Sequence, residues 1–188
     1  MEGTKEYTPE TIKILELLAY FYQTYFRSIT FSALPAELEA ILGDAAYGVI
    51  VRIVAGASGK AVPTMAKNMG YQLEDEDKLA ALANLNKKCH VELYQETSKI
   101  KGLGDIGLIP VEYNKEKGRV LFQLDKCPKN IIAAAPFVGI VVGISRALGL
   151  KVTAIRTPEQ KQMIKEGFVV YPILKKEEGK CYIAVERV

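Results

Sequence analysis

The chain has one histidine, His90, and three cysteines, Cys89, Cys127 and Cys181, in 188 residues. That scarcity excludes much chemistry. A Ser-His-Asp or Cys-His nucleophile has to use His90, and its neighbour Cys89 does not face it on a helix, where adjacent residues point in different directions. The cysteines lack the close pairs of a zinc site, and a Cys127–Cys181 meeting plus one histidine falls short of a closed tetrahedral set. Charge of one sign is scarce too. The net charge is +3, and the charges come mixed, as in NKEKGR and KKEEGK, so nucleic acid is not an expected partner. No basic start followed by an apolar stretch opens the sequence. The most apolar run, from Ile131 to Ile144, stops at Ser145 and Arg146, short of the ~20 residues that span a bilayer. Without a visible export signal, and with scattered cysteines, the expected setting is a reducing cytoplasm.

What is present is a globular composition, 49% apolar and 25% charged. The length fits a single domain, 1–188, that needs neither disulfides nor metal to hold a core. Its centre is the stretch from Ile131 to Gly149, IIAAAPFVGIVVGISRALG, with Gly139 and Gly143 on one helical face. Each interior glycine costs a helix about 1 kcal/mol relative to alanine. Either another backbone packs very close there, or the missing side chains leave room for a ligand.

Along the chain, Thr8-Pro9-Glu10 starts a helix, with Thr as cap, Pro in the first turn and an acid at the positive end. It runs to about Phe26, and Tyr20, Phe21, Tyr22, Tyr25 and Phe26 point around more than half its circumference. They serve either the tertiary core or a subunit interface. A short helix follows from Ser32 to Leu42, so 1–42 reads as a helical extension and a possible dimer contact, before an α+β unit over 43–188. From Ala45 the residues Tyr47, Ile50, Val51, Val54, Ala57, Ser58 and Ala61 make a small-residue helical face, which Pro63 is expected to kink or end. GASGK there lacks the spacing of a phosphate loop and has no strand before it. The acidic Glu74-Asp75-Glu76-Asp77 reads as a helix start rather than a metal cluster, and one long helix is expected from about Asp77 to Lys101, with a strand at His90 to Tyr94 as the alternative. A hairpin (Ile106 to Glu112, Arg119 to Leu124) carries Pro110 at an edge or bulge. The central helix, a strand from Lys151 to Arg156, a capping box at Thr157-Pro158-Glu159-Gln160 and two closing strands complete the chain. The expected class is α+β: N-terminal helices plus an antiparallel sheet of about four to five strands, covered on one face by helices.

This layout resembles the vinyl reductase-type hydrocarbon-binding domain, shared by the TRAPP vesicle-tethering subunits within a group that includes haem nitric-oxide sensors. The residues that carry the resemblance are Gly102-Leu103-Gly104, the hairpin to Leu124, the helix Phe137-Val138-Gly139-Ile140-Val141-Val142-Gly143, and Tyr47 with Arg52-Ile53-Val54. The resemblance implies a lipophilic cavity on a dimeric scaffold. The cysteines of many such domains have no counterpart within Ala133 to Pro136 or Arg156 to Tyr171, and His90 lies outside the haem-ligand pattern, so no metal or cofactor is expected. In the ligand reading Phe137, Gly139, Ile140, Val141, Gly143 and Ile144 form the walls, and Tyr47 and Arg52 anchor a polar group such as a carboxylate. Asp105 holds its own turn or a ligand polar group. The expected function is binding of a small lipophilic or fatty-acyl molecule without catalysis. The alternatives are a ligand-free assembly subunit and, further off, an enzyme acting on a tetrapyrrole-like ring.

Overall fold

The computed structural model describes residues 8–71, 77–92 and 107–188. Gly102-Leu103-Gly104, Asp105, the helix start at 73–76, and 93–101 of the expected long helix lie outside them.

Helix α1 spans Pro9–Ser28, and the Thr8 side chain caps it by accepting from the Thr11 amide. The chain does not leave the helix where the sequence reading placed a break. A π-helical turn, Ile29–Ala33, leads straight into α2, Leu34–Leu42. Its wider bond, Leu34 N–H to the Ile29 carbonyl, comes just before Pro35, whose missing donor and ring need that slack. Gly43, with φ +53°, ends α2. Helix α3, Ala46–Asn68, runs through Pro63 without ending there. Helix α4 is Lys78–Lys87, capped by Asp77, and passes into a π-helical turn over Lys88–Glu92, so the start of the alternative strand is helical. Helix α5, Ile131–Ala147, is capped by Asn130, whose Oδ1 accepts from the Ala133 amide at 2.8 Å while its Nδ2 donates to Glu39 at 2.9 Å. It ends on Gly149 (φ +79°), where the Leu150 and Gly149 amides close back on Ser145 and Arg146.

The strands are β1, Ile109–Asn114; β2, Arg119–Gln123; β3, Val152–Ala154; β4, Phe168–Lys175; and β5, Lys180–Arg187. Their order is β1-β2-β5-β4-β3. The pairs β1–β2, β2–β5 and β4–β5 are antiparallel, as expected, but β3 pairs with β4 in parallel, so the sheet is mixed. Parallel neighbours need a crossover rather than a hairpin, and here it is the short 3₁₀ element Pro158–Met163. Pro110 sits on the edge strand beside a register shift between Pro110 and Glu112.

One sheet face, with Val120, Phe122, Val152, Val170, Cys181, Ile183 and Val185, packs on α4 and α5 in the main core, and α3 packs on α5. On the other face the crossover covers a smaller cluster, where Ile164 packs against Val169, Tyr171 and Ala184. Cys127 and Cys181 are disulfide-bonded, with Cα atoms 5.2 Å apart, so scattered cysteines no longer argue for a reducing compartment.

The core therefore leaves α1 out. None of its described side chains is buried, and Phe21 is 59% exposed. Phe26 meets Phe31 edge-on, and Arg27 pairs with Asp125 at 3.3 Å. The helical run Pro9–Asn68, not α5, is long and apolar enough to cross a membrane by length and composition: one stretch of it reaches a mean hydropathy of 1.6 and is 28% buried.

Candidate functional site

The two glycines at the centre of α5 are packing residues. A Cβ on Gly143 would lie 2.6 Å from the Ala55 carbonyl oxygen and 2.8 Å from the Gly59 amide nitrogen, and one on Gly139 would lie 2.8 Å from Val54 Cβ. Helix α3 fills the space that a ligand would need. Across the same seam, a Cβ on Gly59 would meet the Gly143 carbonyl oxygen at 3.3 Å. Gly56, three residues earlier on α3, instead faces open space.

The other expected wall residues belong to the same packing. Val141 is fully buried in the core, Ile144 is buried beside it, and Ile140 packs against it half-buried. Phe137 stacks on Phe31 with ring centroids 4.6 Å apart, which docks the N-terminal extension onto α5. None of these six residues lines the cleft described next.

Tyr47 and Arg52 do come together, on a cleft of about 710 Å³. It is lined by the start of α3 (Tyr47, Gly48, Val51, Arg52), by Arg146 near the end of α5, and by the exit of β3 and the crossover, with Ile155, Arg156, Met163 and Ile164. Small-molecule sites fall in the range of about 300–1,000 Å³. Among the described residues, three arginines line it and no carboxylate does.

These groups differ in how far they are already engaged. Tyr47 is buried, 4% exposed, and its hydroxyl donates to the Ile155 carbonyl at 2.7 Å. Burial pushes its phenol well above the ordinary tyrosine range, and the nearby Arg156 offsets only part of that. The phenol is thus a neutral, committed donor rather than a base. The Arg156 guanidinium lies 5.5 Å from the Tyr47 ring centroid, donates to the Asp44 carbonyl and pairs with the Asp44 carboxylate at 3.6 Å. Gln160 is occupied by the Arg156 amide at 2.7 Å. Arg146 makes one long bond, 3.5 Å, to the Val152 carbonyl. Arg52 is exposed and makes no hydrogen bond or ion pair among the described residues.

Sequence reasoning missed Arg146, Arg156, Ile155, Met163 and Ile164. They sit on three further segments, and no local spacing marks them. Gly48 did carry a signal, as a helical glycine with nothing within 4 Å of its would-be Cβ.

In a second depression Asp77 accepts from Tyr113 at 2.6 Å and pairs with Lys115 at 3.6 Å, while Lys78 donates to the Leu148 carbonyl at the end of α5. Cys89 contacts the Met69 sulfur at 3.8 Å, and the His90 side chain lies outside what the structure describes. Among the described residues, no group of three or more His, Cys, Asp or Glu side chains is placed to hold a metal ion.

The fold and this cleft define an α+β protein with a mixed five-stranded sheet and a helical layer on one face. Comparison with family models, curated proteins and solved structures finds no match for the chain.

Proposed function

We propose that this protein is a small-molecule-binding module without catalysis, which holds a ligand with an apolar body in the cleft between α3, the end of α5 and the β3 exit. The observation that carries the reading is the meeting of Tyr47 and Arg52 with the apolar wall of Val51, Ile155, Met163 and Ile164 in one cavity of small-molecule size. This keeps the lipophilic ligand that the hydrocarbon-binding resemblance implies, but moves it from the Gly139–Gly143 seam to the open side of α3. Octanol and octanoate are suitable probes. Each should raise the melting temperature of the protein saturably, and Gly48→Leu, which adds a side chain where the backbone has open space, should abolish the effect without lowering the unliganded melting temperature. Equal shifts in the blocked variant would rule the cleft out as the site.

A second reading, the assembly subunit of TRAPP-like type, is favoured by α1. A helix apolar over most of its surface and buried nowhere calls for a partner. Its five half-exposed aromatic residues offer about 100 Å² each, and Ile12, Ile14, Leu15, Leu17 and Leu18 extend the patch toward the ~800 Å² that each partner of a stable complex buries. Lys13 and Glu16 inside the helix disfavour a bilayer, where such charges cost about 2.5–3.5 kcal/mol each at the centre. The partner proposed is a second copy. Light scattering should then give a dimer for the intact chain and a monomer for Leu18→Glu/Phe21→Glu; a monomeric wild type would end this reading. The compartment proposed with both readings is the cytoplasm. Thiol trapping at cell lysis checks it, because a bonded Cys127–Cys181 pair in living cells would count against a reducing compartment.

A further inference from the structure

We infer that the cleft selects a ligand with an anionic head, a carboxylate or a phosphate, and that Arg52 and Arg146 supply the selection. The inference rests on the binding reading above and adds the chemistry of the ligand.

The argument starts from donors without work. An arginine carries five N–H donors in a planar fork that fits carboxylate and phosphate oxygens. Arg156 has spent much of its fork on Asp44 and lies against the Tyr47 ring. Arg52 has no hydrogen bond or ion pair among the described residues, and Arg146 has one bond at the outer limit of hydrogen-bond length. Both border the same cavity, from α3 and from the end of α5. Two arginines facing one cleft repel each other, and among the described residues no acidic side chain lines the cleft to balance them. An anion placed between them relieves that repulsion and fills the vacant donors with charge-assisted bonds.

Gly48 is the second observation. Its backbone is helical, so it does not need glycine for its torsion angles, and nothing lies within 4 Å of its would-be Cβ, so packing does not demand glycine either. This glycine lines the cleft, where its missing side chain leaves the surface open. Beside it, Val51, Ile155, Ile164 and the 73% exposed Met163 present apolar surface to the rest of the ligand.

The test compares octanoate, octyl phosphate and octanol below their micelle concentrations, at fixed ionic strength, by calorimetric titration of the whole chain. At least one acid should bind about tenfold or more tightly than the alcohol. Whichever acid binds more tightly identifies the head group. In Arg52→Gln/Arg146→Gln the gap between that acid and the alcohol should close to within about threefold, while octanol affinity holds. Arg52→Gln alone, which removes no hydrogen bond or ion pair among the described residues, should close part of the gap and controls for any loosening at Arg146. Octanol binding as well as both acids would overturn the inference and leave the binding reading standing, as would a preference that survives the double substitution. No binding of any probe would overturn both.

Discussion

Gly143→Ala and Gly56→Ala differ from wild type by the same single methyl group, and the structure gives them opposite signs. Both glycines are interior to helices, so alanine improves intrinsic helix stability by about 1 kcal/mol at each. At Gly56 nothing lies within 4 Å of the new Cβ, and that gain stands alone. At Gly143 the new Cβ falls 2.6 Å from the Ala55 carbonyl oxygen, 2.7 Å from Ser58 Cβ and 2.8 Å from the Gly59 amide nitrogen. The worst contact is roughly 0.8 Å inside ordinary van der Waals distance, on the steep part of the repulsion. Two of the three atoms are backbone and the third is a Cβ, so no side-chain rotation relieves them. Helices α3 and α5 have to separate along the most extensive contact between any two elements of the molecule. Overpacking of this kind costs about 1–3 kcal/mol, and with three short contacts we take the upper end. After the propensity gain, the net loss is about 1–2 kcal/mol. For a chain of this size 1 kcal/mol moves the melting temperature by about 2–4 °C. Gly143→Ala should therefore melt about 2–8 °C below wild type, and Gly56→Ala about 2–4 °C above it, in thermal scans by circular dichroism. A Gly143→Ala protein as stable as wild type would mean that space does exist beside α5, and the packing account of the glycine pair would fail.

Asn130→Ala removes both the cap of α5 and the bond to Glu39, and should cost about 1–2 kcal/mol in urea titrations, whereas Asn130→Ser, which keeps a capping oxygen, should recover part of it; no difference between the two would show that the cap contributes nothing. Reduction should lower stability by about 2–4 kcal/mol, since the Cys127–Cys181 bond closes a loop over a sequence separation of 54, and a thiol count on the unreduced, denatured protein should find Cys89 alone. Three titratable thiols would contradict the pairing. Burial and the adjacent Glu186 carboxylate push the Tyr171 phenol up to about 12. The unfolded chain then loses this proton near pH 10 while the folded protein still holds it, so stability present below about pH 10 is lost as pH rises toward 12. Melting temperatures of Tyr171→Phe should fall less steeply across that window than those of wild type, and parallel curves would refute the assignment.

The parts of the fold that were legible in the sequence are those fixed by local chemistry. Thr8-Pro9 caps α1, Gly118 turns the hairpin, Pro110 falls on an edge strand beside a bulge, and Thr157-Pro158 opens the crossover. What failed depends on partners remote in sequence. The parallel β3–β4 pair was read as antiparallel because a three-residue strand carries no mark of direction, and the 3₁₀ crossover looks in sequence like any capped short helix. Pro63 did not end α3, since exposure on the outer side lets the helix absorb its missing bond. The glycine pair on α5 was recognised as meaningful, but packing and pocket share one sequence signature. Only the position of the Ala55 carbonyl separates them.

The site shows the same limit in another form. Tyr47 and Arg52 lie five residues apart on one helix, and both fall on the cleft, although the resemblance that singled them out placed them on the α5 seam. Arg146 and Arg156 looked like punctuation, the residues at which an apolar helix and an apolar strand stop. Their role follows from topology. Because β3 runs parallel to β4, its exit lies near the end of α5 and the start of α3 rather than turning back into a hairpin. The basic residues that close two hydrophobic segments are thereby gathered with the basic residue of a third. A charge at the end of a core element is thus also brought onto the cleft beside the parallel crossover.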